Sequence, residues 1–286
     1  ERCDDGTPPG SVDRSPVGTS VARKVCRSRR AAAVTRAYEA VVAAAFTAHG
    51  WHAQGALLHS PAQEGVQGKR PDMKLHGYFR SSAAFRVRIA LNLKGLAYEN
   101  AFRHLRKGEQ RSPDFLKLNP MGLVPAFEDG PHVLTQSLAI IEYLEETHPE
   151  PPLLPTSPVE RARVRALGLA VACEIHPLNN LRTLLYLKNV LKVSDQQHDE
   201  WYRHWVREGF NGIEGMLQSG GTGRFCHGDA PTLADICLVP QVFNAKRFFK
   251  DDELAAWPTI MRIFGECMKL PAFDQAQPSK QPDAEP

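Results

Sequence analysis

Two adjacent serines, Ser81-Ser82, stand where one periodicity gives way to another. Upstream, Lys74 to Phe79 alternates polar and apolar residues, as a short strand does. Downstream, Phe85, Ile89 and Leu93 recur every four residues, as a helix does. A serine at a helix start caps it, and the free N–H groups there favour an anion. The junction is then either a pair of N-cap residues and nothing more, or a place where a hydroxyl and a helix end hold a thiolate or a carboxylate. A second polar pair, Gln136-Ser137, opens the amphipathic helix Leu138 to Thr147. A buried polar pair at a helix start suits a carboxylate ligand.

The elements that must position these residues follow from the pattern of the chain. Its 286 residues allow about two domains. No apolar run approaches the roughly 20 residues that span a bilayer. The net charge of +3 belongs to residues 1–72, so the remainder is neutral overall. A neutral body has no general attraction for nucleic acid, and a substrate anion must be captured by a few placed arginines. Cys3, Cys26, Cys173, Cys226, Cys237 and Cys267 form no C-x-x-C pair, so no metal site or dithiol motif is signalled. The last four read as reduced core thiols, which fits a cytoplasmic protein.

Residues 1–72 differ from the rest: Pro, Gly, Asp and Ser first, then a basic cluster at Arg23 to Arg30 and an Ala-rich run from Ala31 to Ala48. They read as a disordered leader or upstream extension, with a transit peptide as the alternative. Met73-Lys74-Leu75 resembles a natural start. Residues 73–148 then read as strand, helix, strand, short helix, two strands and a helix. The second strand lies in Tyr98 to His104, the short helix around Pro113. The last two strands, Ala126–Glu128 and His132–Thr135, are joined by the turn signal Asp129-Gly130. Pro125 before the third strand marks an edge or a cis bond. Five prolines between 149 and 158 mark a linker. Residues 159–274 read as all helix: Val159–His176, Asn179–Asn189, Asp195–Gln218, Leu233–Phe248 and Pro258–Lys269. Thr232 and Asp235 are explained by helix capping. Residues 275–286 form a polar tail.

A βαβ unit, Val124-Pro125 before a hairpin, Gln136-Ser137 opening a helix and an all-helical remainder together resemble a glutathione transferase. The likeness covers Met73 to about Phe273. It is closest to the zeta class, on Ser81-Ser82-x-x-x-Arg86, Asn119-Pro120-x-x-x-Val124-Pro125, Gln136-Ser137-Leu138-Ala139-Ile140, Ile175-His176-Pro177-Leu178-Asn179-Asn180 and Val239-Pro240-Gln241-Val242. The resemblance implies a thioredoxin-like βαβαββα glutathione-binding domain followed by an all-helical domain, with glutathione as cofactor. It implies glutathione-dependent cis–trans isomerisation of maleylacetoacetate or maleylpyruvate, a small keto-dicarboxylate, by a homodimer.

In that family the roles would fall as follows. Ser81 or Ser82 would donate to the glutathione sulfur. Val124 would pair with the tripeptide backbone beside a cis Pro125. Gln136 and Ser137 would bind its γ-glutamyl end, and His176, Asn180 and Arg182 would line the facing wall. Arg247 would hold a substrate carboxylate; for clamping both carboxylates the candidates are Arg80, at the strand end, with Arg247 or Arg182, since arginine suits bidentate capture. Blander roles stand beside these: Arg80 as a solvated charge, His176 as a helix end, Arg86 and Arg88 facing away from the serines toward acids or water. Many zeta members have Cys after the paired serines. Ala83 stands here, which excludes thiol chemistry by the protein at that spot but leaves isomerisation intact. The alternatives are a transferase that conjugates or dehalogenates electrophiles, and a non-catalytic glutathione-transferase-like binding domain.

Overall fold

The computed structural model describes residues 72–285; the leader, with Cys3 and Cys26, lies outside the described residues. Strand β1 (Met73–Gly77) is central in a four-stranded sheet of order β2-β1-β3-β4. It pairs in parallel with β2 (Glu99–Phe102), from Lys74↔Glu99 to Gly77↔Phe102. It pairs antiparallel with β3 (Ala126–Asp129), from Met73↔Asp129 to His76↔Ala126. β4 (His132–Thr135) completes a hairpin closed at Asp129↔His132, where Gly130 takes a φ of 54°. A left-handed residue in so tight a turn is naturally glycine. Helices α1 (Ser82–Leu93), α2 (Pro113–Leu118) and α3 (Ser137–Thr147) complete the thioredoxin-like βαβαββα unit.

The proline-rich segment is clamped to this unit. Lys94 Nζ donates to Glu145 Oε2 at 2.9 Å, to the His148 carbonyl at 2.6 Å and to the Pro151 carbonyl at 3.0 Å. The Glu145 carboxylate also accepts from the Leu153 and Leu154 amides. Buried charges persist when paired and hydrogen-bonded in this way.

Among the described residues the rest of the regular structure is helical, apart from one isolated bridge, Thr222↔Gly228. Helix α4 (Pro158–Leu169) does not run on as one α-helix to His176 as its sequence suggests. It passes into a π-helical stretch, Ala170–Ile175, and then the short α5 (His176–Asn179). Ile175 lies so close to Gly209 that a methyl group there would come within 2.2 Å of it. α6 (Leu181–Asn189) and α7 (Asp195–Gln218) follow, Gly209 lying in α7. α8 (Leu233–Ala245) is buried on nearly all sides and packs against α1, α4 and α10 (Pro258–Met268). Its start is capped as expected: Asp235 Oδ2 accepts from both the amide and the hydroxyl of Thr232. Cys226, Cys237 and Cys267 are buried, whereas Cys173 is exposed, contrary to the expectation of a core thiol. No described helix is long and apolar enough to cross a membrane.

The C-terminal segment is more than a polar tail. After α11 (Pro271–Asp274) it returns to the sheet, where Asp283 Oδ2 accepts from the Phe79 amide at 2.9 Å. Ala284 packs beside Tyr78, Phe79 and Phe115.

Candidate active site

β1 ends at Gly77, and the chain turns through Tyr78, Phe79 and Arg80 into α1. Ser81 is the N-cap: its Oγ accepts from the Ala84 amide at 3.2 Å. That leaves its own proton free to donate outward. Ser82 is buried, and its hydroxyl has no hydrogen bond among the described residues. The N–H groups of the first turn open at the same place, so both serines sit where an anion is favoured.

Val124 packs against Tyr78 and Phe79 of this turn just before β3 begins, and Val124–Pro125 is cis. Val124 stands before the first ladder residue of β3, and its own amide and carbonyl have no partner among the described residues. Gln136 and Ser137 begin α3. Ser137 is buried, but Gln136 is exposed, so the pair is not buried as a unit. Gln136 has φ 70° and ψ 116°, a conformation L-residues avoid. Strain of this kind persists only where the surroundings impose it, and it concentrates at ligand sites.

Arg86 ties the first wall together and departs from the expectation that it faces acids or water. It is 2% exposed, its Nη1 donates to Ser137 Oγ at 3.3 Å, and no carboxylate accompanies it. Its charge also acts on His176: burial, then Arg86, pushes the imidazole down to about 3. His176 is therefore neutral near pH 7. Arg86 thus marks where α1, the start of α3 and the end of the π-helical stretch converge. Arg88 is likewise buried and pairs with no acid. It donates from Nη2 to the Phe79 carbonyl at 3.1 Å and from Nε to the Ala276 carbonyl at 2.9 Å.

The second wall is cationic. Arg247 lies just beyond α8, donating to Asn244 Oδ1 at 3.2 Å. Desolvation, then the positive charges of Arg80 and Arg106, holds its guanidinium below its ordinary range. Arg80 rests 5.6 Å over the Phe79 ring. None of these three arginines forms an ion pair among the described residues. Arg106, in the turn Leu105–Lys107, is a group the sequence did not single out. The structure does not join Arg182 or Asn180 to this cluster. Arg182 is exposed on α6 with no ion pair among the described residues, and the Asn180 side chain accepts from the Thr183 amide as the cap of α6.

A capping hydroxyl at one helix start, an unpaired backbone just before β3, a strained residue at a second helix start and unpaired arginines nearby are what an anionic, thiol-bearing tripeptide and an acidic co-substrate need. Residues 71–146 match the model of the glutathione S-transferase N-terminal domain. The chain belongs to the glutathione S-transferase family. Within it, the similarity is to the zeta class. A probable maleylacetoacetate isomerase of Vibrio cholerae is 51% identical over 212 residues, covering 73% of this chain and 97% of that protein. A maleylpyruvate isomerase of Ralstonia is 46% identical, covering 74% of this chain and all of the other. Among solved structures, a zeta-class maleylpyruvate isomerase in its holo form superposes with a TM-score of 0.72 at 46% identity. A maleylacetoacetate isomerase from Methylobacterium extorquens AM1, with bound malonate and glutathione, gives 0.71 at 46% identity. These two cover 74% of this chain and the whole of each neighbour.

Proposed function

We propose that the protein is a glutathione-dependent cis–trans isomerase acting on maleylacetoacetate. The observation that carries this is the pairing of the Ser81 cap with the unpaired Arg80, Arg106 and Arg247. Glutathione is held with its backbone along Val124 and its γ-glutamyl carboxylate at Ser137 and Gln136. His176 stands by as a neutral group behind them. The sulfur sits at the start of α1, where the Ser81 hydroxyl and the helix end favour the thiolate. A free thiol has a pKa of about 8.5, and each unit of lowering corresponds to about 1.4 kcal/mol.

The thiolate adds to an alkene carbon conjugated with the substrate ketone. One C–S bond forms, the C=C π pair moves onto the ketone oxygen as an enolate, and the former double bond rotates. The enolate then collapses, the C–S bond breaks and the trans alkene is released. Glutathione returns unchanged and no oxidant or reductant is required. Arginines clamp the two substrate carboxylates while the central bond turns. Two copies pair as a dimer in this proposal, the commonest symmetric state of soluble oligomers.

The decisive experiment supplies maleylacetoacetate, with maleylpyruvate in parallel, and catalytic glutathione, and follows loss of the cis enol absorbance together with the free thiol. Turnover with thiol conserved is expected. Arg247→Ala raises KM for the keto acid by about tenfold or more, the loss of one charge-assisted contact. Turnover without glutathione, or its stoichiometric consumption, overturns the proposal.

A further inference from the structure

The catalytic turn at Arg80–Ser82 is held on one side by the first turn of α1. Arg80 makes no side-chain hydrogen bond among the described residues, and β1 has already left the sheet at Gly77. Locally, the Ser81 amide donates to the Tyr78 carbonyl at 2.9 Å, the Ser81 carbonyl accepts from the Phe85 amide at 2.8 Å, and the Ser81 hydroxyl caps α1. A further restraint on the residues that lead into it comes from the far end of the chain. The Phe79 amide donates to Asp283, and the Phe79 carbonyl accepts from Arg88 of α1, which also grips the Ala276 carbonyl.

That segment is itself braced. Gln281 is buried, and its amide donates to the Gln275 and Gln277 carbonyls at 2.9 and 3.0 Å. Lys280 Nζ meets Asp274 Oδ2 at 2.5 Å. Beyond Asp283, Ala284 packs into the small cluster around Tyr78 and Phe115. Glu285 is 2.7 Å from His104 Nε2. His104 Nδ1 already accepts from the Lys107 amide, which assigns Nε2 as the protonated nitrogen that donates to Glu285. The segment therefore runs from α11, past the Phe79 peptide, to the turn that carries Arg106.

We infer that residues 277–285 form a strap that sets the position of the Arg80–Ser82 turn, with Asp283 as a positioning residue for the thiolate-forming step. The inference builds on the isomerase function proposed above. The Ser81 hydroxyl has to meet a sulfur within a few tenths of an ångström, and the Phe79 peptide, two residues upstream, is the nearest backbone the strap fixes. Misplacement by about 1 Å is worth up to roughly 100-fold in rate.

The test uses the full chain with Asp283→Ala, Asp283→Asn and a stop after Gln281. Asp283→Asn keeps an oxygen acceptor for the Phe79 amide, while Asp283→Ala does not. The thiolate absorbance of bound glutathione is titrated with pH, alongside kcat on maleylacetoacetate, glutathione affinity and Tm. Asp283→Ala and the truncation are expected to lower kcat about tenfold and raise the bound thiol's pKa by about one unit, the equivalent change in free energy. Glutathione affinity at neutral pH should stay within about threefold, because Ser137, Gln136 and Val124 lie on other elements. Asp283→Asn should restore the wild-type titration. A wild-type titration and kcat in Asp283→Ala overturns the strap, as does a loss of affinity and Tm in step with kcat. If the wild type binds glutathione but isomerises nothing, the isomerase proposal fails, while the thiol titration still decides the strap.

Discussion

Ser81→Ala removes two things at once, and they are separable. The side chain caps α1 by accepting from the Ala84 amide, a role worth about 1 kcal/mol. For a chain of this size that is a fall in Tm of about 2–4 °C. Its outward proton is the proposed donor to the glutathione sulfur. A hydrogen bond to a charged group contributes about 1.5–3 kcal/mol. Its loss should lower kcat roughly 10- to 150-fold and raise the pKa of bound thiol by about one to two units. The Ser82 side chain caps nothing and makes no hydrogen bond among the described residues, so Ser82→Ala should change Tm and kcat little. Ser81→Thr keeps cap and hydroxyl and should keep most of both. Stopped-flow titration of the thiolate band, steady-state isomerisation and thermal unfolding on the three variants complete the assay. A Ser81→Ala enzyme with the wild-type thiol pKa and rate, or a collapse in Ser82→Ala instead, would refute the assignment.

Gln136→Gly relieves an unfavourable backbone, so Tm should rise by a few degrees, about 1 kcal/mol, while calorimetry shows glutathione binding weakened about tenfold; unchanged affinity would remove Gln136 from the site. Glu145→Ala strands the buried Lys94 ammonium and the Leu153 and Leu154 amides, and should cost about 3–5 kcal/mol in denaturant unfolding; a loss below 1 kcal/mol would contradict the clamp. The His176 imidazole stays neutral in the folded protein down to about 3, whereas in the unfolded chain it takes up a proton near pH 6.5. Native protein thus binds fewer protons in that window, and His176 should make stability fall as pH drops from about 6.5 toward 3. His176→Gln should flatten that slope relative to wild type, measured by denaturant unfolding at several pH values; an identical slope would show that His176 takes up a proton equally well in both states.

Much of the fold was legible because period and punctuation agreed. His132–Thr135, after the turn signal Asp129-Gly130, and Asp195–Gln218 fall on the ranges read from the sequence. Arg86 and Arg88 were misleading, since charges on a helix ordinarily face solvent. The signal lay in their company: Phe85, Val87, Ile89, Ala90 and Leu91 leave no polar face, which marks an interior helix. The polar tail hid its contact for the same reason, as Asp283 meets a backbone amide some 200 residues away and no local pattern records that. Arg106 was overlooked because basic loops are common and only the approach of Arg80 and Arg247 gives it meaning. The turn of Gln136 into a positive φ is imposed by the passage from β4 into α3, and glutamine carries no mark of it.

The π-helical stretch at Ala170–Ile175 makes chain length a variable in its own right. Each residue of an ordinary α-helix advances the next by about 100° around the axis, and a π turn accommodates one residue more than that winding allows. Deleting one residue between 170 and 175 would let the helix rewind regularly with His176 close to its present bearing, whereas deleting one from the regular turns of α4 would swing His176 about 100° away from Arg86, without altering either side chain. The gap at Gly209, shaped to the bulged Ile175, would then face the wrong neighbour. Along this helix the effect of an insertion or a deletion depends on whether it falls in the bulge or outside it, and the aim of the helical wall is stored as a number of residues.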